Sequence, residues 1–179
     1  MRFLGLRMLG ATAGLALLAS GCASAQVVAT STGAPEPGAS TPSTVSAMIC
    51  RSEAIQEIGS AVGAKAVVST PTWIDHLYSC KYGYPSGSMQ LSVKELSNQA
   101  QTDAYFHQLG VQLGDTGALP NLGQGAFQTT NGSIVVRKDS KVLLVDVSSL
   151  PAQFGQPPTT AGNVALTVAD VILGCWSGD

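Results

Sequence analysis

Residues 77–84, LYSCKYGY, and residues 88–96, SMQLSVKEL, stand on either side of Pro85-Ser86-Gly87 and decide the fold. Successive side chains of a strand point to opposite faces of a sheet, so every second residue shares a face. In the first stretch this alternation gathers three tyrosines and a cysteine on one face, and in the second it separates apolar from polar residues. Because proline and glycine favour a turn between the two stretches, the sequence predicts an antiparallel hairpin.

A second block of strand-like sequence lies further along the chain. Residues 126–130, 133–137 and 142–147 are rich in β-branched and other apolar side chains. Asn131-Gly132 separates the first two stretches, and Asn-Gly is the strongest short signal for a two-residue hairpin turn. A polar turn at residues 138–141 precedes the third stretch. This block therefore predicts a three-stranded meander.

Three segments show the three- and four-residue spacing of apolar side chains that is typical of helices. They begin near Ser52, at Ser97 or Asn98, and at Thr160, and the last one ends at Cys175. Strands grouped in blocks, with helices between the blocks, are typical of α+β proteins. We predict an α+β fold with a mainly antiparallel sheet of about five strands, a hairpin plus a three-stranded meander, and three helices packed on one face.

The N-terminus resembles a secretory signal peptide. Arg2 and Arg7 are followed by a short apolar run at residues 9–18. A positive start, a short apolar core and small residues after it are the pattern of a signal peptide, and a membrane span needs about 20 apolar residues. We predict residues 1–21 as the signal peptide and expect export of the remaining chain.

Small residues directly before Cys22 are typical of a bacterial lipobox, where the chain is cut and the cysteine is acylated. The usual lipobox has Leu at the position that Ala19 occupies here. An alternative cleavage site, Ala23-Ser24-Ala25, would release a secreted protein beginning at Gln26. We predict lipidation of Cys22, which places the protein on the outer face of the cell membrane, and keep secretion after cleavage near Ala25 as the alternative.

Residues 22–46 consist of the lipidated cysteine and a predicted flexible tether. The tether is made of Ala, Ser, Thr, Gly and Pro with one charged residue, Glu36, so it offers little apolar surface to bury. Residues 47–179 then suit one globular domain.

The charge balance argues against one class of partner. Without the signal peptide, seven basic residues stand against eleven acidic ones, and Arg137-Lys138 with Lys141 is the main basic cluster. Nucleic-acid binding depends on a basic surface that displaces counterions. We therefore expect no nucleic acid as a partner. The expected partners are the membrane, through the N-terminal lipid, and an unknown envelope ligand or protein.

Three cysteines remain beyond Cys22, and an oxidising environment should join two of them. Loop-closure entropy differs too little between the pairings to decide among them. Cys175 lies among inward-facing apolar residues of the last predicted helix, and such a position suits a buried thiol. We predict a Cys50–Cys80 disulfide with Cys175 reduced and buried, and the alternative is that all three are reduced core residues.

The sequence carries no recognisable catalytic or metal-binding motif. His76 follows Asp75 ahead of a predicted strand, and His107 lies four residues after Asp103 on a predicted helix, so those two side chains share a face. Two such groups fall short of the three or four ligands of a metal site, so a surface pair is expected. No G-x-S-x-G, H-E-x-x-H or C-x-x-C occurs. We predict no catalytic residue, no metal and no cofactor, and a protein that is not an enzyme.

Aromatic side chains near the first hairpin are the best candidates for contact with a ligand. Trp73, Tyr78, Tyr82 and Tyr84 lie close together in the sequence, and the three tyrosines share a strand face. Tyrosine and tryptophan offer rigid amphipathic contact area. The competing interpretation is that this face packs against helices as part of the core.

Several segments together resemble a group of small, uncharacterised actinobacterial lipoproteins, over the chain from about residue 48 to its end. These segments are Met48-Ile49-Cys50, Trp73 with Leu77 to Tyr82, Leu91 to Glu95, Ala104-Tyr105-Phe106, Val135 to Asp139, Val145-Asp146-Val147 and Gly174-Cys175-Trp176. More distantly, the arrangement is similar to domain-of-unknown-function lipoproteins and to extracellular sensor domains of actinobacterial Ser/Thr kinases. The resemblance implies a disulfide-stapled α+β domain with a ligand cleft, and it transfers no catalytic residue.

Three functions are compatible with the sequence. The first is a membrane-anchored envelope lipoprotein with a non-catalytic binding or accessory domain, which the missing motifs favour. The second is an envelope hydrolase with an unrecognised site, and a deep pocket that holds His76 or His107 beside a carboxylate would favour it. The third is a purely structural surface protein. An exposed apolar groove lined by Tyr78 or Tyr82 would favour binding over the structural role.

Overall fold

A computed structural model describes residues 40–176 of the chain. The predicted signal peptide, Cys22 and most of the predicted tether lie outside these residues. The helices are α1 (Thr44–Ala47), α2 (Ser52–Val62), α3 (Gln99–Leu113) and α4 (Ala161–Cys175), with a 3₁₀ turn at Met48–Cys50. The strands are β1 (Val67–Val68), β2 (Thr72–Ile74), β3 (Leu77–Tyr84), β4 (Gly87–Glu95), β5 (Asp115–Ala118), β6 (Gly125–Thr129), β7 (Ile134–Lys138), β8 (Lys141–Ser149), β9 (Gln153–Phe154) and β10 (Thr159–Thr160). Between residues 40 and 176, no helix is both long and apolar enough to cross a membrane.

Strand β4 is the centre of the sheet. It pairs with β3 through the predicted hairpin and with β8 on its other side, so that Leu91 lies between Cys80 and Val145. Strands β8, β7 and β6 form the predicted meander, and the order across the sheet is β1-β3-β4-β8-β7-β6-β5, with β2 also pairing with β3. All pairs are antiparallel. The predicted α+β class and the mainly antiparallel sheet are confirmed.

The predicted number of strands is wrong, because the main sheet has eight strands rather than about five. The missed strands β1, β2 and β5 have two, three and four residues and lie at the two edges of the sheet. Strands this short have too few residues to show an alternating pattern. Pro71 and Gly117, which lie at these edges, are residue types that favour loops over strands. A separate two-stranded sheet, β9 with β10, was missed for the same reason.

Helices cover both faces of the sheet, and the prediction that all of them pack on one face is wrong. Helices α2 and α4 cover the face that carries Val136 and Leu143, whereas α3 covers the opposite face over Phe127, Val135 and Val142. The reason lies in strands β6 to β8, which have apolar side chains on both faces and must be buried on both. In β7 the first three residues are all buried.

The predicted disulfide between Cys50 and Cys80 is confirmed, with the two Cα atoms 6.1 Å apart. It ties the 3₁₀ turn before α2 to the middle of β3. Cys175 lies outside the disulfide, as predicted, but the expectation that it is buried is wrong. Its side chain is only half-buried at the end of α4, where the Sγ donates to Glu57 Oε2 at 3.3 Å. A thiol with a carboxylate neighbour lies at the margin of the core rather than inside it.

Residues before the predicted domain boundary at residue 47 already contact the domain. Ser43 caps α1, and both its backbone N–H, at 2.9 Å, and its hydroxyl, at 2.6 Å, donate to Glu95 Oε1. The buried Ser46 hydroxyl donates to the same oxygen. Residues 43–46 therefore belong to the domain rather than to the tether. Serines are typical of both tethers and helix caps, and the carboxylate that decides between them lies about 50 residues away in the sequence.

Removing the disulfide should destabilise the domain without changing its fold. The double substitution Cys50→Ala and Cys80→Ala is expected to lower the free energy of unfolding by about 3–4 kcal/mol, because the bond closes a loop of 30 residues in the unfolded chain. Cys175→Ala is the matched control and should cost about 1 kcal/mol or less. Urea unfolding measures both values, and an equal loss in the two proteins would contradict this role of the disulfide.

The carboxylate of Glu95 should hold the start of the domain in place. Glu95→Ala removes the acceptor of the buried Ser46 hydroxyl and of two part-buried donors of Ser43, which is expected to cost about 2–3 kcal/mol. Glu95→Gln keeps an acceptor oxygen and should cost about 1 kcal/mol. Hydrogen exchange should show faster exchange at residues 43–46 in Glu95→Ala than in Glu95→Gln. Equal protection in the two variants would mean that Glu95 does not fix this segment.

Candidate functional site

A groove of about 370 Å³ lies between the C-terminal half of α3 and the adjacent edge of the sheet. Helix α3 and its C-terminal cap supply a phenyl ring, a valine side chain, an imidazole and two glycines. Strands β5 and β6 supply a carboxylate and a second phenyl ring. The lining residues are Phe106, His107, Gly110, Val111, Gly114, Asp115 and Phe127. Val111 is 75% exposed at the rim, so the groove is open to solvent.

Two phenyl rings form the apolar wall of the groove. Phe106 of α3 and the buried Phe127 of β6 meet edge to face, with ring centroids 5.0 Å apart. The Arg137 guanidinium lies over the Phe106 ring, 5.7 Å from its centroid, and donates to Asp103 Oδ1 at 2.7 Å. These contacts fix Phe106 from behind, so the wall has a defined shape before any ligand arrives.

Glycines on α3 keep the groove open, and they do so for two different reasons. Gly114 ends the helix with φ +73°, and a Cβ there would meet Thr130 Cγ2 at 2.9 Å, so the backbone itself requires glycine. Gly110 lies inside the helix, and its Cβ would make ordinary contacts with Asp115 Cβ at 3.6 Å and Phe127 Cζ at 3.7 Å. Alanine would fit at position 110 and would favour the helix. Glycine at this position therefore leaves open space between α3 and the strands β5 and β6.

Polar groups at the rim give the groove its chemical character. His107 and Asp115 are both exposed and line it from opposite elements. Asp115 Oδ1 accepts from the Gly117 N–H at 2.7 Å, which orients the carboxylate. Its other oxygen can accept a hydrogen bond from a ligand. Asp103, the expected partner of His107, instead accepts from Arg137 and from Gln99 Nε2, at 2.8 Å.

The predicted aromatic candidates separate into a core pair and a surface pair. Tyr82 is fully buried and donates from its hydroxyl to the Ile49 carbonyl at 2.6 Å, so the prediction that it faces a ligand is wrong. Tyr84 is half-buried and packs edge to face on Phe154, with centroids 4.7 Å apart. These two tyrosines lie on the sheet face that α2 and α4 cover, which is the physical reason for their burial.

Trp73 and Tyr78 remain at the surface, opposite each other on β2 and β3. Both are half-buried, and Trp73 meets His76 edge to face, with ring centroids 5.6 Å apart. Burial raises the pKa of the Tyr78 hydroxyl, while the nearby Arg51 guanidinium opposes this shift. Burial also raises the pKa of Tyr84 to about 12 and drives that of Tyr82 further upward. These hydroxyls therefore stay protonated, and that of Tyr82 acts as a neutral donor.

The groove was not predicted, although its signal is present in the sequence. Gly110 and Gly114 follow Phe106 at successive four-residue steps, so one face of the predicted helix loses its side chains over the last turns. The sheet side of the groove comes from Asp115 and Phe127, and predicting their position requires knowledge of the sheet order. Within residues 40–176, no three His, Cys, Asp or Glu side chains are grouped so that they could hold a metal ion.

No family model, curated protein or solved structure matches the chain. The resemblance to actinobacterial lipoproteins therefore stays a prediction.

Filling the groove should stabilise the protein. Gly110→Ala is expected to raise the free energy of unfolding by about 0.5–1 kcal/mol, because alanine favours a helix and its Cβ meets only ordinary contacts here. Gly114→Ala should instead lose about 1–2 kcal/mol, since its left-handed backbone disfavours a side chain. Thermal and urea unfolding of the two variants test this. A destabilised Gly110→Ala protein would show that glycine is needed for packing rather than for open space.

Proposed function

We propose that the protein is a membrane-anchored envelope lipoprotein with a non-catalytic domain that binds an apolar group in the α3 groove. The observation that carries the binding role is Gly110. A helix-interior glycine with room for a methyl group sacrifices about 1 kcal/mol of helix stability, and here it leaves an open slot lined by two phenyl rings. Such a combination is expected where a ligand, and not the fold, needs the space.

The lining suggests the class of ligand. Phe106 and Phe127 favour a flat apolar group that can pack on aromatic rings. The Asp115 carboxylate at the rim favours a hydrogen-bond donor or a positive charge next to that group. A volume of about 370 Å³ lies at the small end of ligand sites, so a side chain or a small ring system fits better than a long polymer.

An envelope hydrolase is the alternative that the groove brings closest, because His107 and Asp115 line the same space. Both side chains are exposed rather than held in a deep pocket, and one oxygen of Asp115 is occupied by the Gly117 N–H. The lining includes no serine, cysteine or lysine that could act as a nucleophile. Binding is therefore the better-supported role. A purely structural role does not explain why glycine, rather than alanine, stands at position 110.

Binding can be tested with indole, a flat apolar probe that carries one N–H donor. Titration of the ¹⁵N-labelled protein should shift the amide signals of Gly110, Gly114 and Asp115, with an affinity in the millimolar range expected for so small a ligand. Gly110→Ala should weaken binding about tenfold, which corresponds to ~1.4 kcal/mol. The matched control is Gly174→Ala on α4, because a Cβ added to this helical glycine would meet no atom within 4 Å.

Equal binding by Gly110→Ala and the wild type would show that the groove is not the site. Shifts confined to residues around Trp73 and Tyr78 would move the site to that surface. No shift anywhere at high indole concentration would favour the structural role.

The lipid anchor has its own test. Detergent phase partitioning of the protein from its native membrane should place the wild type in the detergent phase, because an acyl chain adds about 0.8 kcal/mol per buried CH₂ group. Cys22→Ala should move the protein to the aqueous phase, whereas Cys175→Ala should not. A wild-type protein that is already aqueous, with Gln26 at its N-terminus, would contradict the anchor and support secretion.

A further inference from the structure

One end of the sheet holds both the entry of the chain into the domain and the turn between β2 and β3. Ser43 is fixed there by the Glu95 side chain, and the Glu95 backbone N–H donates to the His76 carbonyl at 2.8 Å. Asp75 and His76 form the two-residue turn, both with positive φ. We define this end, marked by Leu77, Lys94, Glu95 and Lys141 in the strand register, as the entry end.

The turn at the entry end is apolar on both faces of its hairpin. Trp73 and Tyr78 oppose each other on one face, and Ile74 and Leu77 oppose each other on the other. Ile74 is 65% exposed, and the other three side chains are half-buried. A strand pair that belongs only to the core would be apolar on the covered face alone. We refer to Trp73, Ile74, Leu77 and Tyr78 as the hairpin tip.

We propose that the hairpin tip docks into the headgroup layer of the membrane that holds the lipid anchor. This inference rests on the proposed anchoring, and it assigns the surface that faces the bilayer. The chain from Cys22 enters the domain at Ser43, beside the tip, so the tip lies at the end of the domain that is nearest to the proposed anchor along the chain. Tryptophan and tyrosine favour the boundary between headgroups and acyl chains, and both stand in the hairpin tip.

Charge is not the source of this contact. The Lys94 ammonium donates to the backbone carbonyl of Asp75, a residue whose own side chain is acidic. On the neighbouring turn, Lys138 lies 3.8 Å from Asp139. Basic and acidic groups thus both occur around the tip, with Arg51 beside Tyr78 as a further positive charge, and the net charge that could attract anionic lipid is small. We therefore expect docking on zwitterionic as well as anionic membranes, with weak dependence on salt.

The groove lies at the opposite end of the domain. Helix α3 starts directly after β4 ends at the entry end, and its 15 residues span about 22 Å before Gly114. Asp115 then pairs with Thr129, at the far end of β6. With the hairpin tip on the bilayer, the groove faces away from the membrane.

Vesicle binding tests the docking with the chain from position 22 onward, carrying Cys22→Ala so that no lipid is attached. Phosphatidylcholine vesicles, with and without phosphatidylglycerol, should bind this protein and shift the emission of Trp73 to shorter wavelength. Trp176, the second tryptophan of the chain, is buried and should contribute a constant background. Ile74→Ser should weaken vesicle binding about tenfold.

The matched control is Val67→Ser, which removes a still more exposed apolar side chain, 82% exposed, from the same sheet edge at its other end. It should leave vesicle binding unchanged. An absence of vesicle binding, or equal losses in the two variants, would overturn the docking. The protein in this experiment lacks the lipid, so a negative vesicle result would not contradict the proposed anchor. A negative detergent-partitioning result would contradict the anchor but would not change the measured vesicle binding.

Discussion

The pairing of β4 with β8 is the interaction on which the rest of the structure depends. It joins the N-terminal hairpin to the C-terminal meander through residues about 50 positions apart, such as Leu91 opposite Val145. Both strands bury their central residues, and these residues share one core cluster with buried side chains of helices α2 and α4. Without this non-local pairing, each half would be a small sheet with an apolar edge exposed to water. The disulfide strengthens one half only, so the junction itself relies on packing and backbone hydrogen bonds.

The sequence allowed prediction of the parts of the fold that local patterns specify. Alternation predicted β3 and β4, Asn131-Gly132 predicted the turn of the meander, and three- and four-residue spacing predicted the long helices. The side of the sheet on which α3 packs was mispredicted, because Ile134, Val135 and Val136 are all apolar and do not reveal which face lacks a cover. The short edge strands were missed because their pairing is set by β3 and β6 rather than by their own residues.

The candidate site was harder to predict than the fold for a related reason. Two glycines on one helix face are visible in the sequence, but only the position of Phe127 on the neighbouring strand turns them into a groove. The three tyrosines of β3 share one face of the strand, and their burial separates them. Tyr82 belongs to the core, where its hydroxyl supports the Ile49 carbonyl next to the disulfide, whereas Tyr78 reaches the surface beside Arg51. Residue type alone could not separate these roles.

Both open edges of the sheet are interrupted in ways that affect how neighbouring copies behave. At one edge, Pro71 separates β1 from β2 and carries no N–H to offer a partner strand. At the other, β5 has an irregular register, and the Asp115 side chain takes up the Gly117 N–H. An interrupted edge resists the addition of another strand. Molecules confined to a plane meet at high local concentration and in similar orientations, which is the condition under which open edges join into fibrils. In the proposed membrane-anchored state, these two interruptions would keep neighbouring molecules separate.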